Sequence, residues 1–365
     1  MFDIDFFMAT DAIKQRIVNN DIEPDEVERE FNKLVNPKPH VFNVETTNAC
    51  NMTCVMCPRT SLMKRPISVM EREMYESIMD QGKSQVHSEE KLQKLWKFVK
   101  DTYGITFEDR NENTFYFHIV AKHVILHGYG EPMVDVNIFD RVQACTDRGI
   151  PTYFSCVPAN ITVEKAERLM KAGLGVLKFS IDSLEDEGIK KIRGKHANFK
   201  EAFQTILDII DMKEEKGYKT ILAPTMIELS RDDQALGMHR DFLKLWEGKD
   251  VFAYIKSQDN RWYFEGDPNV ENKSHYAQQY CEYPWTSLTV MANGEVVPCT
   301  QDYDAELSFG NVKDQSLEEI WNGEKYKAFR NMHITGNFPK GHKCAERCDQ
   351  KKLHSYLEKK PSAVK

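Results

Sequence analysis

The chain has 365 residues, a net charge of −8 and a pI near 5.8, with 41% hydrophobic and 29% charged residues. This is an ordinary balance for a globular chain of two or three domain-sized units. It excludes a general nucleic-acid binder, which needs a basic surface, and no apolar run reaches the roughly 18 residues of a membrane helix. The first ten residues carry Asp3 and Asp5 and no basic stretch, so no secretory signal is expected and the cytoplasm is the default location.

In chain order, residues 1–40 read as a short acidic helical cap that ends at Asn36-Pro37-Lys38-Pro39. Strands are predicted over 41–45, 122–127, 152–156, 175–181, 219–226 and 251–256. Helices are predicted over 70–80, 134–148, 163–172, 186–192, 199–216 and 233–246. Six strand–helix units in alternation predict an α/β fold with a parallel sheet, because parallel strands need helical crossovers. Six units suit an open, partial (β/α)6 TIM-like barrel better than the eight of a closed one. An insertion at 82–118 reads as a helix over 89–101 and then a β-hairpin turning at Asn111-Glu112-Asn113. From residue 258 the character changes to marked turns, four cysteines and a basic tail, which places a domain boundary there: a core of 41–257 and a smaller domain of 258–365.

Nine cysteines are present, and clustered cysteines in a reducing compartment bind metals more often than they form disulfides. Cys50, Cys54 and Cys57 fall in a loop just after the first strand. Three thiolates there can hold three corners of one iron–sulfur cube and leave one iron open to a ligand. The alternative is zinc, but structural zinc is closed by four ligands, and this CxxxCxxC spacing lacks the fourth.

CxxxCxxC after the first strand of a partial barrel resembles the radical SAM superfamily, over roughly residues 41–257. The resemblance implies a [4Fe–4S] cluster on Cys50, Cys54 and Cys57. Its open iron binds S-adenosylmethionine (SAM) and cleaves it to a 5′-deoxyadenosyl radical that abstracts hydrogen from a substrate. It also implies an electron donor such as flavodoxin or ferredoxin. Gly128-Tyr129-Gly130-Glu131-Pro132 resembles the family's GGEP loop, with Tyr129 in place of a glycine. Glu131 would then accept from the SAM ammonium, and Gly128 and Gly130 would allow close backbone approach. Ser180 and Asp182 end the fourth strand where relatives place polar groups near SAM. Arg193 resembles the arginine that pairs with the SAM carboxylate, and Met56 stands where an adenine-facing aromatic is common. Ser155 and Asn160 follow the third strand. His127 and Tyr129 are the candidates for proton transfer.

Cys281, a hairpin turning at Ala292-Asn293-Gly294, and Cys299 should fold back together. With Cys344 and Cys348 they complete four thiolates. The pattern, with Phe309-Gly310-Asn311-Val312 and Ile320-Trp321, resembles the SPASM/twitch extension of radical SAM enzymes. Since no cysteine follows Cys348, it implies one auxiliary [4Fe–4S] cluster, with a zinc site as the alternative. Such an enzyme would oxidise a small polar molecule. Residues 1–40 are short for a peptide-recognition domain, which favours a small molecule over a peptide. A peptide maturase remains an alternative, as does a radical epimerase using Cys145 or Cys156 as hydrogen donor. Outside the family, a non-enzymatic Fe–S electron carrier or a zinc-binding module would also account for the cysteines.

Overall fold

The computed structural model describes residues 1–19, 21–230, 232–257, 281–346 and 348. The boundary expected at 258 and the basic tail lie outside the described residues. Six parallel strands stand side by side in chain order: β1 (Val41–Val44), β2 (Val124–Ile125), β3 (Thr152–Cys156), β4 (Val176–Ser180), β5 (Ile221–Glu228) and β6 (Tyr254–Ser257). Helices such as Ile138–Thr146, Val163–Lys171, Phe199–Lys216 and Asp233–Leu245 make the crossovers. The longest of these starts where the Asn198 side chain accepts from Glu201 N, and it stops at Gly217, whose φ of 71° suits a residue without Cβ.

Strand alternation separates two cores. Phe154, Leu177, Phe179 and Leu222 face the helices. Ile125, Tyr153, Val176, Ala223 and Tyr254 point the other way, into the concave side of the sheet. That inner side is filled by Phe2 and Phe7 from the N-terminal segment and by Phe115 and Phe117 from the insertion.

The insertion has the expected helix, Glu89–Tyr103, but not the expected hairpin. Residues 112–122 are instead three consecutive helical turns: Glu112–Thr114, a π-type turn at Phe115–Ile119, and Val120–Lys122. The Asn111 side chain caps the first by accepting from Thr114 N. Burial decides the outcome, since Phe115 stacks on Tyr254 with ring centroids 4.8 Å apart and meets Tyr153 edge-on. Packing overrides the strand preference of the Phe-Tyr-Phe run.

From Leu288 onward the same sheet continues. β7 (Leu288–Val290) pairs in parallel with β1, on the side away from β2, and β8 (Glu295–Val297) and β9 (Gly310–Asn311) add antiparallel strands. Among the described residues the order is β6-β5-β4-β3-β2-β1-β7-β8-β9. The predicted Asn293-Gly294 turn joins β7 to β8, with Gly294 at φ 91°. No helix among the described residues is long and apolar enough to cross a membrane.

Candidate functional site

β1 delivers the chain into Glu45, Thr46, Thr47 and Asn48, all buried, and then into the cysteine loop. Neighbouring segments pin that loop. Thr53 N donates to Arg193 O (3.2 Å) and Val55 N to Ile192 O (2.9 Å). Arg59 Nε donates to Asn48 O at 2.8 Å. Asn51 and Asn160 exchange side-chain amide hydrogen bonds, at 2.6 and 3.1 Å. Cys50, Cys54 and Cys57 all border one cavity of about 410 Å³, with Met52 and Met56 between them on its wall. All nine cysteines lie among the described residues, and none is in a disulfide.

The glycine loop after β2 closes over the same cavity. A Cβ on Gly130 would sit 2.0 Å from the Thr47 carbonyl oxygen, and one on Gly128 2.5 Å from a Glu45 carboxylate oxygen. Only glycine lets the two loops approach so closely. Glu131 lines the cavity yet is almost wholly buried. Burial pushes its carboxyl up to about 7, against hydrogen bonds donated by Val157 N, Met133 N and the Asn160 side chain.

Ser155 and Ser180 join across β3 and β4, Oγ to Oγ at 3.0 Å, and both face the cavity with Arg193. Asp182 is placed differently. It is buried behind Arg193, with one carboxylate oxygen taken by that guanidinium and the other by Ile227 N at 2.9 Å. Asp182 therefore orients Arg193, whose Nη1 lies 3.6 Å from Cys54 Sγ.

His127 borders the cavity with its Nδ1 accepting from Ser155 N at 3.2 Å, so a neutral ring carries its proton on Nε2. Tyr129 also borders it, but its hydroxyl donates to Thr300 O, next to Cys299, which ties the glycine loop to the C-terminal region. Cys156 reaches the cavity wall. Cys145 does not: it is buried among the outer helices, 2.9 Å from the Tyr75 hydroxyl, and burial pushes its thiol up to about 12.

Cys281, Cys299, Cys344 and Cys348 border one small pocket together with Tyr283, Pro298, Phe329 and His333. Burial pushes the Cys299 thiol well up, and the charges of Cys281 and Cys348 add to the shift. Cys281 also borders the large cavity, which therefore touches both cysteine sets.

Among the cavity residues that sequence reasoning missed are Lys178 on β4, Lys256 on β6 and Glu112 of the insertion. The signal was present, since Lys178 interrupts the otherwise apolar strand Val-Leu-Lys-Phe at an inward position.

Residues 44–235 match the Radical SAM superfamily, and residues 281–349 match SPASM, an iron–sulfur cluster-binding domain. The first match covers more than half of the chain, which belongs to the radical SAM superfamily. The S-adenosyl-L-methionine-dependent 2-deoxy-scyllo-inosamine dehydrogenase of Niallia circulans is 21% identical over 83% of this chain and 90% of its own length. A tungsten-containing aldehyde ferredoxin oxidoreductase cofactor-modifying protein from Pyrococcus furiosus is 24% identical over 60% of this chain and 71% of its own. Among solved structures, anSMEcpe with bound AdoMet has a TM-score of 0.55 at 14% identity, covering 80% of this chain and 82% of its own. BtrN in complex with AdoMet and 2-DOIA has a TM-score of 0.50 at 17% identity, covering 84% and 91%. These likenesses show the shared fold.

Membership implies a [4Fe–4S] cluster and SAM, and the SPASM match implies auxiliary Fe–S binding. The residues present fit both. Cys50, Cys54 and Cys57 share one cavity, and Cys281, Cys299, Cys344 and Cys348 share the small pocket. The glycine cradle and the buried Glu131 line that cavity beside Cys50, with Glu131 N donating to Ala49 O at 2.8 Å.

Proposed function

We propose that this chain is an oxidoreductase that removes hydrogen from a small polar molecule, with Cys50, Cys54 and Cys57 holding the SAM-binding cluster. Cys281, Cys299, Cys344 and Cys348 hold one auxiliary cluster. Bound at the first set, the cluster and SAM supply reductive cleavage of the sulfonium and hydrogen-atom abstraction. The chain's own residues do the rest. Glu131 receives the SAM ammonium, Arg193 its carboxylate, Ser180 and Ser155 its polar edge, and Met56 its adenine. Asp182 keeps Arg193 aimed.

The observation that carries the oxidation is the single cavity touching both cysteine sets. A substrate held there lies between the group that takes its hydrogen atom and the site that can accept the remaining electron. His127, which lines the same cavity and in its neutral form carries its proton on Nε2, serves the accompanying proton transfer. The N-terminal helices pack through Phe6 and Phe31 against Trp285. The reading includes a radical SAM core over 41–257, an auxiliary domain from 258, a flavodoxin- or ferredoxin-like donor and a cytoplasmic location. Reduction of the anaerobically reconstituted protein with dithionite in the presence of SAM tests it. 5′-Deoxyadenosine is expected, and none from the Cys50/Cys54/Cys57→Ala variant; a wild type that forms none contradicts the reading.

A further inference from the structure

Lys178 stands on the inward face of β4, two residues before Ser180 and so about 7 Å further from the strand's C-terminal end. It lines the cavity, yet its side chain is 8% exposed. Its ammonium lies near the rings of Tyr254 and Phe115, 5.7 and 6.0 Å from their centroids. Among the described residues it makes no hydrogen bond and no ion pair; its electrostatic neighbours are Lys256, Glu112, Arg193 and Asp182. Each acid there is already matched. Asp182 is held by Arg193, and the Glu112 carboxylate sits 3.7 Å from Lys256 Nζ. Lys178 is thus the buried cation at the inner end of the cavity that has no acid of its own among the described residues.

A lone buried ammonium is costly unless something pairs with it. Burial, reinforced by Lys256, pulls Lys178 down to about 7, which records that cost. Phe115, Tyr254 and Tyr153 shape an apolar wall around it, so an anion reaching Nζ would be shielded from water and strongly attracted. A cationic amine would meet repulsion at the same place.

We propose that Lys178, supported by Lys256, anchors a carboxylate or phosphate of the substrate, so that this enzyme acts on an acidic small molecule and not on an aminocyclitol. This rests on the reading of the cavity as the substrate site. The insertion's Asn113 lines the same cavity and is at hand for the rest of the molecule.

The test uses the anaerobically reconstituted, SAM-loaded full chain titrated calorimetrically at pH 8 with inorganic sulfate, succinate and 2-deoxy-scyllo-inosamine. Sulfate stands for a phosphate and succinate for a carboxylate. One of the two anions is expected to bind at least tenfold more tightly than the amine, and the tighter one identifies the anionic group. Repetition in buffers of different ionisation heat should show proton uptake onto Lys178. Lys178→Met should lose at least tenfold in anion affinity and all uptake, and Lys178→Arg should keep affinity without uptake. Lys256→Met should weaken binding several-fold, and it serves if Lys178→Met does not fold. The inference is overturned if neither anion binds more tightly than the amine, if binding takes up no proton, or if Lys178→Met loses SAM affinity in place of anion affinity. 5′-Deoxyadenosine formation is scored separately, so the inference can fail while the radical SAM reading stands.

Discussion

Glu45, the first residue past β1, and Arg65 form a bidentate ion pair at 2.9 and 3.0 Å with the carboxylate fully buried. The same carboxylate accepts from Tyr129 N at 3.2 Å and Ala292 N at 3.1 Å, and Arg65 Nε donates to Tyr303 O at 2.7 Å. One pair therefore joins the end of β1, the glycine loop, the segment after the cysteine loop and the C-terminal hairpin. Breaking a buried pair by removing one partner costs roughly 3–5 kcal/mol, because the other charge is stranded. Arg65→Met should lose that much in denaturant unfolding of the reconstituted protein, and the Glu45→Gln/Arg65→Met double variant distinctly less. Equal losses in the two would contradict the account.

The glycine loop gives a steric prediction. Gly130→Ala drives a methyl into the backbone carbonyl oxygen of Thr47, which cannot swing aside as a side chain would, so one loop must move. SAM affinity by equilibrium dialysis should fall at least tenfold. Gly149→Ala is the control: its φ is 68° but a Cβ there meets nothing within 4 Å, so it should cost about 1 kcal/mol of stability and leave SAM binding intact. Similar SAM affinities in both variants would remove the loop from the site.

Glu131 gives a pH signature. Its carboxyl is raised from 4.5 to about 7 in the folded chain. Between those values the unfolded carboxyl has ionised while the folded one still holds its proton. The apo protein should therefore lose stability as pH rises through that window. SAM affinity should run the other way, rising through pH 7 as the ammonium's acceptor ionises. Glu131→Gln should flatten both slopes, and a wild type with flat slopes would sink the assignment.

Lys14 and Glu282 form a second buried ion pair, 2.7 Å long, linking the N-terminal helices to the residue next to Cys281. Lys14→Met strands the Glu282 charge beside the auxiliary site. Auxiliary iron should be retained less well than in wild type during gel filtration, while Lys33→Met, on an exposed pair with Glu30, should retain it fully. Equal retention would detach the N-terminal helices from that site.

The six parallel strands, the β7–β8 turn and the grouping of the cysteines were legible in the sequence because each rests on local signals: alternating strand and helix segments, an Asn-Gly turn, and thiols at fixed spacing. The three turns at 112–122 were not, because Phe115 and Phe117 are placed by partners on β3 and β6 far along the chain. Asp182 was legible as a polar residue at a strand end, but not that it would be spent on Arg193. The pairing of β7 with β1 was equally hidden, since no local pattern announces which edge a late strand will join. Lys178 needed the inward face of β4 to be known before its charge acquired a meaning.

Iron and sulfide content of the anaerobically reconstituted protein, wild type beside the Cys50/Cys54/Cys57→Ala variant, tests the central claim of two clusters bordering one cavity most directly. About eight irons falling to about four is the predicted result, one [4Fe–4S] cluster at each cysteine set. About four falling to none would contradict it, and oxidation through an auxiliary cluster would have to be abandoned.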